Sequence, residues 1–145
     1  MAGTVTIKDG TTVKYKFPVV TNFDHNYEKV INQYEAEGIL NPPLNDTKTV
    51  IHVITVDFDL VDKGTYDPGQ DPGSTGSIWK QQSLLQQLKN QSTANYYTLI
   101  EDDDTENTTG YYGLIKKIII NRKQPSQLKK TGSLLFIESD DIMKL

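Results

Sequence analysis

The sequence predicts a mainly β fold of the α+β class, a small split β-barrel or sandwich that carries one helix. Short runs rich in Ile, Val and Tyr recur between turn residues, which is the pattern of a small β architecture. Only one stretch, residues 77–89, has convincing helical spacing. The length of 145 residues suits one core, so we expect a single domain over residues 1–145.

The first third of the chain predicts a hairpin and a further strand. Residues 4–7 and 13–17 favour strands, and the Asp9-Gly10 pair between them favours a tight turn. Residues 23–34 fit both helical and strand spacing, and a strand is the preferred interpretation. Residues 35–49 contain Pro, Gly and Asn-Asp breakers and are predicted to form a loop.

The central part predicts a strand, a loop and the helix. In residues 50–60, apolar side chains alternate with polar ones such as Asp57 and Asp59, so the strand has one wet face. Residues 63–76 are rich in Gly and Pro and are predicted to form a flexible loop. Ser77 is the expected N-cap of the helix.

The C-terminal part predicts a three-strand meander with oppositely charged loops. Its strands are residues 96–100, 111–121 and 133–138, and successive hairpins place their two loops at opposite ends of the sheet. The acidic loop carries Glu101, Asp102, Asp103, Asp104 and Glu106, and the basic loop carries Arg122, Lys123, Lys129 and Lys130. Such polarity suits head-to-tail contact between copies or with neighbours, so we predict that both loops are assembly contacts.

The middle strand of the meander is apolar on both faces around two lysines. This pattern indicates a strand that is buried on both sides or an edge that pairs with another chain. An open apolar edge promotes aggregation in a monomer, and oligomerisation would cover it. The predicted edge contacts are Leu114, Ile115, Ile118, Ile119 and Ile120.

No motif in the sequence indicates catalysis, a cofactor or a metal. Asp102, Asp104 and Glu106 alternate as in a calcium loop but lack the central Gly and distal Glu of an EF-hand, so a hairpin tip or assembly contact is preferred. His25 and His52 stand in no metal or catalytic spacing, and each is interpreted as a strand residue. We therefore expect no enzyme, no metal and no cofactor.

The overall charge limits the partners. A net charge of −4 gives no general attraction to nucleic acid or to anionic membrane, although the basic residues near Tyr111 and Tyr112 leave nucleic-acid binding as a minor alternative. No window approaches the roughly 20 apolar residues of a membrane span, and the first residues do not resemble a signal peptide. We expect a soluble protein that is not exported by a standard signal.

The order of the elements resembles the tail-tube and baseplate barrel proteins of tailed viruses and related contractile injection systems. The resemblance covers residues 50–139, and it rests on element order and apolar pattern. The matching parts are the strand 50–58, the helix 79–89 with Leu84, Leu85 and Leu88, and the apolar runs 97–99, 112–118 and 134–138. In that group, a strand, a helix and a three-strand meander form a split barrel, and copies align sheet edge to sheet edge as rings around a channel.

This resemblance implies a tail-tube-like fold and a structural role in a viral tail or contractile injection apparatus. A baseplate or tube-adaptor component is favoured over a main tube subunit. The implied partners are copies of the same chain in a ring and neighbouring tail or baseplate proteins, with no membrane and with nucleic acid only as DNA passing through a channel. The implied location is the virion tail, or an extracellular or cytoplasmic injection particle.

Two alternatives to a structural subunit remain open. The first is a β-sandwich that binds a glycan or a peptide through the aromatic residues Tyr96, Tyr97, Tyr111, Tyr112 and Trp79. The second is a hydrolase, which would need a pocket where His25 or His52 stands beside a carboxylate.

Overall fold

The computed structural model describes residues 4–33, 44–90, 96–121 and 129–139. These residues form a seven-stranded antiparallel sheet and one α-helix, which confirms the predicted mainly β fold with a single helix. The elements are β1 (Val5–Asp9), β2 (Thr12–Phe17), β3 (Val20–Gln33), β4 (Leu44–Val61), α1 (Ile78–Asn90), β5 (Tyr97–Glu101), β6 (Tyr111–Asn121) and β7 (Lys129–Glu138). Their order in the sheet is β2-β1-β5-β6-β7-β4-β3.

The sheet is not closed into a barrel, and the described strands lie in one sheet rather than the two of a sandwich. Its edge strands, β2 and β3, are nevertheless joined by only Pro18 and Val19. Such a link spans at most about 11 Å between the Cα atoms that flank it. The sheet must therefore curl until the end of β2 and the start of β3 lie close together. The edges do not pair there because the amide of Lys16 in β2 donates to the carbonyl of Pro72 at 2.7 Å. A loop thus occupies the β2 edge that barrel closure would need.

The core lies on the concave face of the curled sheet. The predicted alternation in β4 is confirmed, since Ile54, Val56, Phe58 and Leu60 are all buried. Leu85 and Leu88 of α1 cover the same cluster. Because burying such side chains drives folding, this alternation fixes which face of β4 points inward.

Helix α1 is attached to the end of β4 through Gln81. Ser77 acts as the predicted N-cap, its hydroxyl oxygen accepting the amide of Lys80 at 3.2 Å. Gln81 is fully buried, and its Nε2 donates to the carbonyls of Val61 at 2.7 Å and Gly76 at 2.9 Å. These bonds fix the register of the helix on the sheet.

The Gly- and Pro-rich loop after β4 lies over β2. A Cβ at Gly73 would sit 2.6 Å from the carbonyl oxygen of Lys16 and 2.7 Å from the ring of Tyr15. Only a residue without a side chain permits this approach, and its φ of 91° also favours glycine. The predicted flexibility of residues 63–76 stays a prediction, while their packing on β2 is a feature of the fold.

The strand predicted over residues 23–34 is confirmed as β3 as far as Gln33, but the loop predicted over residues 35–49 is wrong from Leu44 onward. β4 begins at Leu44, which pairs with Gln33, and Asn45 and Asp46 also lie in the ladder. Pairing with β3 supplies their backbone hydrogen bonds and overrides a weak local preference. Residues 34–43 lie outside the described part of the chain.

Within the described residues, no helix combines the length and the apolar character that crossing a bilayer requires.

Candidate assembly surfaces

Strand β3 forms an open edge of the sheet. It pairs with β4 on one side, and no described strand lies on its other side over its 14 residues. Its convex face carries Asp24, Asn26 and Glu28, all exposed, because these residues pair with outward-facing positions of β4. A long edge of unpaired backbone groups is a template for strand addition unless something covers it.

The β3 edge continues into a ribbon that leaves the body of the sheet. β4 pairs with β7 only between Val53 and Val61, so its earlier part has β3 as its only described strand neighbour. Tyr27 and Val50 on this ribbon are 65% and 61% exposed. Two strands alone are marginally stable in water, so a neighbouring molecule would stabilise the ribbon.

Strand β6 has one fully paired side and one partly paired side. β7 pairs with it from Gly113 to Asn121, whereas β5 pairs only with Tyr111 to Gly113. From Leu114 onward, β7 is therefore its only strand partner among the described residues. The sequence left open whether this segment is buried on both sides or forms an edge. Pairing on one side only, among the described residues, agrees with the second interpretation.

The predicted edge contacts of β6 divide between the two faces of the sheet. Ile115 is buried in the core, and Ile118 and Ile120 pack partly against it. Leu114 and Ile119 are 36% and 37% exposed on the convex face. Their assignment as assembly contacts stays a prediction.

The apolar convex face forms a shallow groove. It is lined by Tyr96, Leu114, Ile137 and the backbone around them, and its volume is about 550 Å³. The ring of Tyr112 lies 5.8 Å from the ring of Tyr96 beside it.

The acidic loop is stabilised from within the chain. Asp102 accepts hydrogen bonds from the hydroxyls of Thr4 at 2.6 Å and Thr6 at 2.9 Å, and its amide donates to the carbonyl of Thr4. Oδ1 of Asp104 accepts the amides of Glu106 at 2.9 Å and Asn107 at 3.1 Å. These two carboxylates therefore shape the loop.

The remaining acidic side chains of the loop are available for a contact. Asp103 and Glu106 are exposed, whereas Glu101, predicted to lie in the loop, is the last residue of β5, pairs with Val5 and is half-buried. They lie where β6 begins, and β6 carries the chain to the opposite end of the sheet. The acidic loop therefore lies at the opposite end of the sheet from Lys129 and Lys130.

The basic end is partly neutralised inside the chain. Lys129 Nζ lies 3.9 Å from Asp59 Oδ2 and is half exposed, and Lys130 Nζ donates to Oε1 of Gln82 at 2.6 Å. Arg122 and Lys123 lie outside the described residues. The prediction that Lys129 and Lys130 lie in the basic loop is wrong, because pairing with Val61 and Leu60 of β4 extends β7 to Lys129.

A cluster of ring side chains at the root of the ribbon was not predicted. His25 Nδ1 and His52 Nε2 are 2.9 Å apart, and His52 Nδ1 is 3.1 Å from Glu138 Oε1. The ring of Tyr27 stacks on His52 at 4.2 Å with planes inclined by 5°, and Tyr111 lies 5.3 Å from both histidine rings. The chain thus brings together side chains of β3, β4, β6 and β7.

This cluster arises from register. Tyr27 pairs with His52 and His25 with Ile54, so both histidines point to the concave face just beyond the core. His52 is one position past the last pair between β4 and β7, where Glu138 ends β7. The prediction that His25 and His52 are strand residues is confirmed, but no local pattern gives the pairing of strands that are far apart in sequence.

Two buried tyrosines have perturbed acidity. Burial raises the pKa of Tyr15 well above its usual range, and among the described atoms its hydroxyl has no hydrogen-bond partner. Burial and the nearby charge of Asp9 raise the pKa of Tyr97, whose hydroxyl donates to the carbonyl of Leu88 at 3.3 Å. Both belong to the core rather than to a surface that a partner could reach.

The chain matches no protein-family model and no curated protein. Its function must therefore be argued from its surfaces.

Proposed function

We propose that this chain is a structural subunit of a viral tail or contractile injection apparatus, a baseplate or tube-adaptor component that assembles into rings. The observation that carries the proposal is the open β3 edge on a ribbon that extends beyond the sheet. A monomer normally protects a long edge with bulges, inward charges or a covering loop. Here a loop covers the β2 edge at Lys16, whereas no described strand or loop covers the β3 edge, whose pairing with β4 shifts register between Val20 and Asn22 and between Lys29 and Ile31.

In this proposal, the β3 edge of one copy pairs with the β6 edge of the next. The β6 segment from Leu114 has strand neighbours on one side only among the described residues, so it can accept an added strand. Two different surfaces meet in such a contact, and repeating it generates a ring when the rotation closes. The apolar groove beside Leu114 would be covered by the same contact.

Charge complementarity supports this pairing. The convex face of β3 carries the exposed carboxylates of Asp24 and Glu28, and the exposed part of β6 carries Lys116 and Lys117. Opposite charges on the two edges favour head-to-tail pairing and disfavour pairing of like edges.

The charged ends of the sheet would serve contacts between rings or with neighbouring tail and baseplate proteins. Asp103 and Glu106 face outward at one end, and Lys129 lies at the other. Exposed ion pairs of this kind weaken as salt rises. The proposal includes no catalytic step and no cofactor, and nucleic acid enters only as DNA passing through a channel.

A charge-swap experiment tests the edge contact. Asp24→Lys with Glu28→Lys should reduce the oligomer, because like charges then face each other, and Lys116→Glu with Lys117→Glu should do the same. Combining all four substitutions should restore assembly, since complementarity returns with its sign reversed. Sedimentation velocity of the four proteins measures this, and a fourfold variant no better than either double variant would contradict the proposed pairing.

A second candidate function is that of a module that binds a glycan or a peptide. The groove beside Tyr96 and Tyr112 favours it, because paired aromatic rings over an apolar floor suit such ligands. The five aromatic residues do not share one surface, however, since Tyr97 is fully buried and Trp79, 72% exposed, lies on the helix. Chemical-shift perturbation confined to Tyr96 and Tyr112 on addition of a ligand would support this function. A ring of subunits in which the groove is covered by a neighbouring copy would contradict it.

A further inference from the structure

The two histidines at the root of the ribbon place one ring nitrogen each within hydrogen-bond distance of the other. His25 Nδ1 and His52 Nε2 are 2.9 Å apart, with ring centroids 5.1 Å apart and planes inclined by 19°. In the hydrogen-bonded pair one nitrogen donates and the other accepts. A metal ion can take the place of that hydrogen, because neutral imidazole nitrogens are good ligands for first-row transition metals.

Glu138 determines which nitrogen of His52 is available. An ionised carboxylate only accepts hydrogen bonds, so the contact of 3.1 Å with His52 Nδ1 requires the hydrogen on that nitrogen. Nε2 of His52 then carries the lone pair and faces His25. A carboxylate behind a histidine in this way is the usual partner of a metal-binding imidazole, fixing both its tautomer and its orientation.

The surroundings fix the side chain of His52 and leave that of His25 free to rotate. His52 is 6% exposed and is stacked on Tyr27, whereas His25 is exposed. Two nitrogens bound to one tetrahedral zinc ion at about 2.05 Å would lie about 3.3 Å apart. The observed pair must therefore open by about 0.4 Å, which a small rotation of the exposed His25 side chain supplies.

We propose that His25 and His52 form a two-imidazole site for a divalent transition-metal ion such as Zn²⁺, with Glu138 as the positioning residue. Water completes the coordination, since no group of three or more His, Asp or Glu side chains placed to hold a metal occurs among the described residues. The bound ion would join β3 to β4 where the ribbon leaves the sheet. This site goes beyond the proposed structural function and does not depend on it.

The chain offers a clean test because it has two histidines and no cysteine. Isothermal titration of tag-free protein with Zn²⁺, in a buffer that does not bind metal, should show one ion per chain. His25→Ala should weaken binding at least tenfold, and the exposure of His25 means that this variant keeps the core intact. Asp24→Asn, a neighbouring acidic residue on the opposite face of β3, is the matched control and should bind as the native chain does.

Glu138→Ala separates positioning from a general loss of structure. Loss of a partner of this kind typically costs about 10–100-fold in metal affinity, and a tenfold loss is expected here. In ¹⁵N NMR of the imidazoles, His52 should carry its hydrogen on Nδ1 in the native chain and lose that preference in the variant. Equal Zn²⁺ binding by the native chain and His25→Ala, or no saturable binding by the native chain, would overturn the proposal.

Discussion

The backbone of Gly132 lies against the ring of Phe58. A Cβ at Gly132 would sit 2.6 Å from Cζ of Phe58 and 2.7 Å from the carbonyl oxygen of Ile119. Glycine at this position lets β7 pass close to the core between β4 and β6. Gly132→Ala should therefore destabilise the fold by about 1–3 kcal/mol through overpacking.

Urea unfolding measures this change. Gly10→Ala is a useful comparison, since a Cβ there meets nothing within 4 Å although its φ is positive. If the destabilisation at Gly132 comes from contact with Phe58, Phe58→Leu should recover part of it in the double variant. A purely additive pair would contradict that explanation.

Asp102 should contribute to stability, whereas its neighbour Asp103 should not. Asp102 accepts hydroxyls from Thr4 and Thr6 and so attaches the acidic loop to the start of β1, while Asp103 is exposed. We expect Asp102→Ala to lower the free energy of unfolding by about 1–2 kcal/mol. Asp103→Ala should change it by less than about 0.5 kcal/mol. Equal effects in thermal unfolding would show that loop charge, rather than these hydrogen bonds, controls stability.

Gln81 should be more sensitive to substitution than other polar residues of α1. Its buried amide donates to the carbonyls of Val61 and Gly76, so Gln81→Leu removes both bonds and leaves the Gly76 carbonyl with the amide of Lys63 as its one described donor. The expected loss is about 2–3 kcal/mol. Gln86→Leu, at an exposed position of the same helix, is the control, and hydrogen exchange of α1 amides should rise only in the Gln81 variant.

Tyr15 and Tyr97 should respond differently to removal of the hydroxyl. Tyr15→Phe removes a buried hydroxyl that has no partner among the described atoms, so it should be neutral or stabilising. Tyr97→Phe removes the bond to the carbonyl of Leu88 and should cost about 1 kcal/mol. Chemical unfolding at pH 7 of the two variants gives the comparison.

The raised pKa of Tyr15 also predicts alkaline unfolding. Its ordinary value is 10.0, and burial raises it in the folded chain. The unfolded state therefore loses its proton first, so the stability from this group is complete below pH 10 and falls as pH rises beyond it. Tyr15→Phe should flatten the loss above pH 10, with the remaining slope partly due to Tyr97, whose pKa is raised in the same direction. An unchanged slope in Tyr15→Phe would contradict this.

The sequence predicts those features whose causes are local. Alternation fixes the face of β4 around Phe58, and Ser77 caps the helix at the expected place, because burial and capping act over a few residues. The loop predicted over residues 35–49 is wrong from Leu44 onward, because breakers such as Asn45 are tolerated where β3 supplies the backbone hydrogen bonds. Local signals therefore predict that a strand or helix is present better than they predict where the strands of the β3–β4 hairpin begin and end.

Features that depend on contacts between segments far apart in the sequence could not be predicted from it. The sheet stays open because Pro72 binds the β2 edge at Lys16, a contact between segments that share no pattern. The pair of His25 and His52, with Glu138 behind it, requires the registers of β3, β4 and β7 together. Each histidine alone looks like an ordinary strand residue, and only their arrangement suggests a site.

The most direct test of the edge-pairing assembly is the molar mass of the purified chain over a range of concentrations, measured by light scattering and viewed by electron microscopy. Edge pairing predicts closed rings whose mass is a fixed multiple of 16.4 kDa and which dissociate as salt rises. A chain that stays at 16.4 kDa at millimolar concentration and low salt would contradict the open β3 edge as an assembly device.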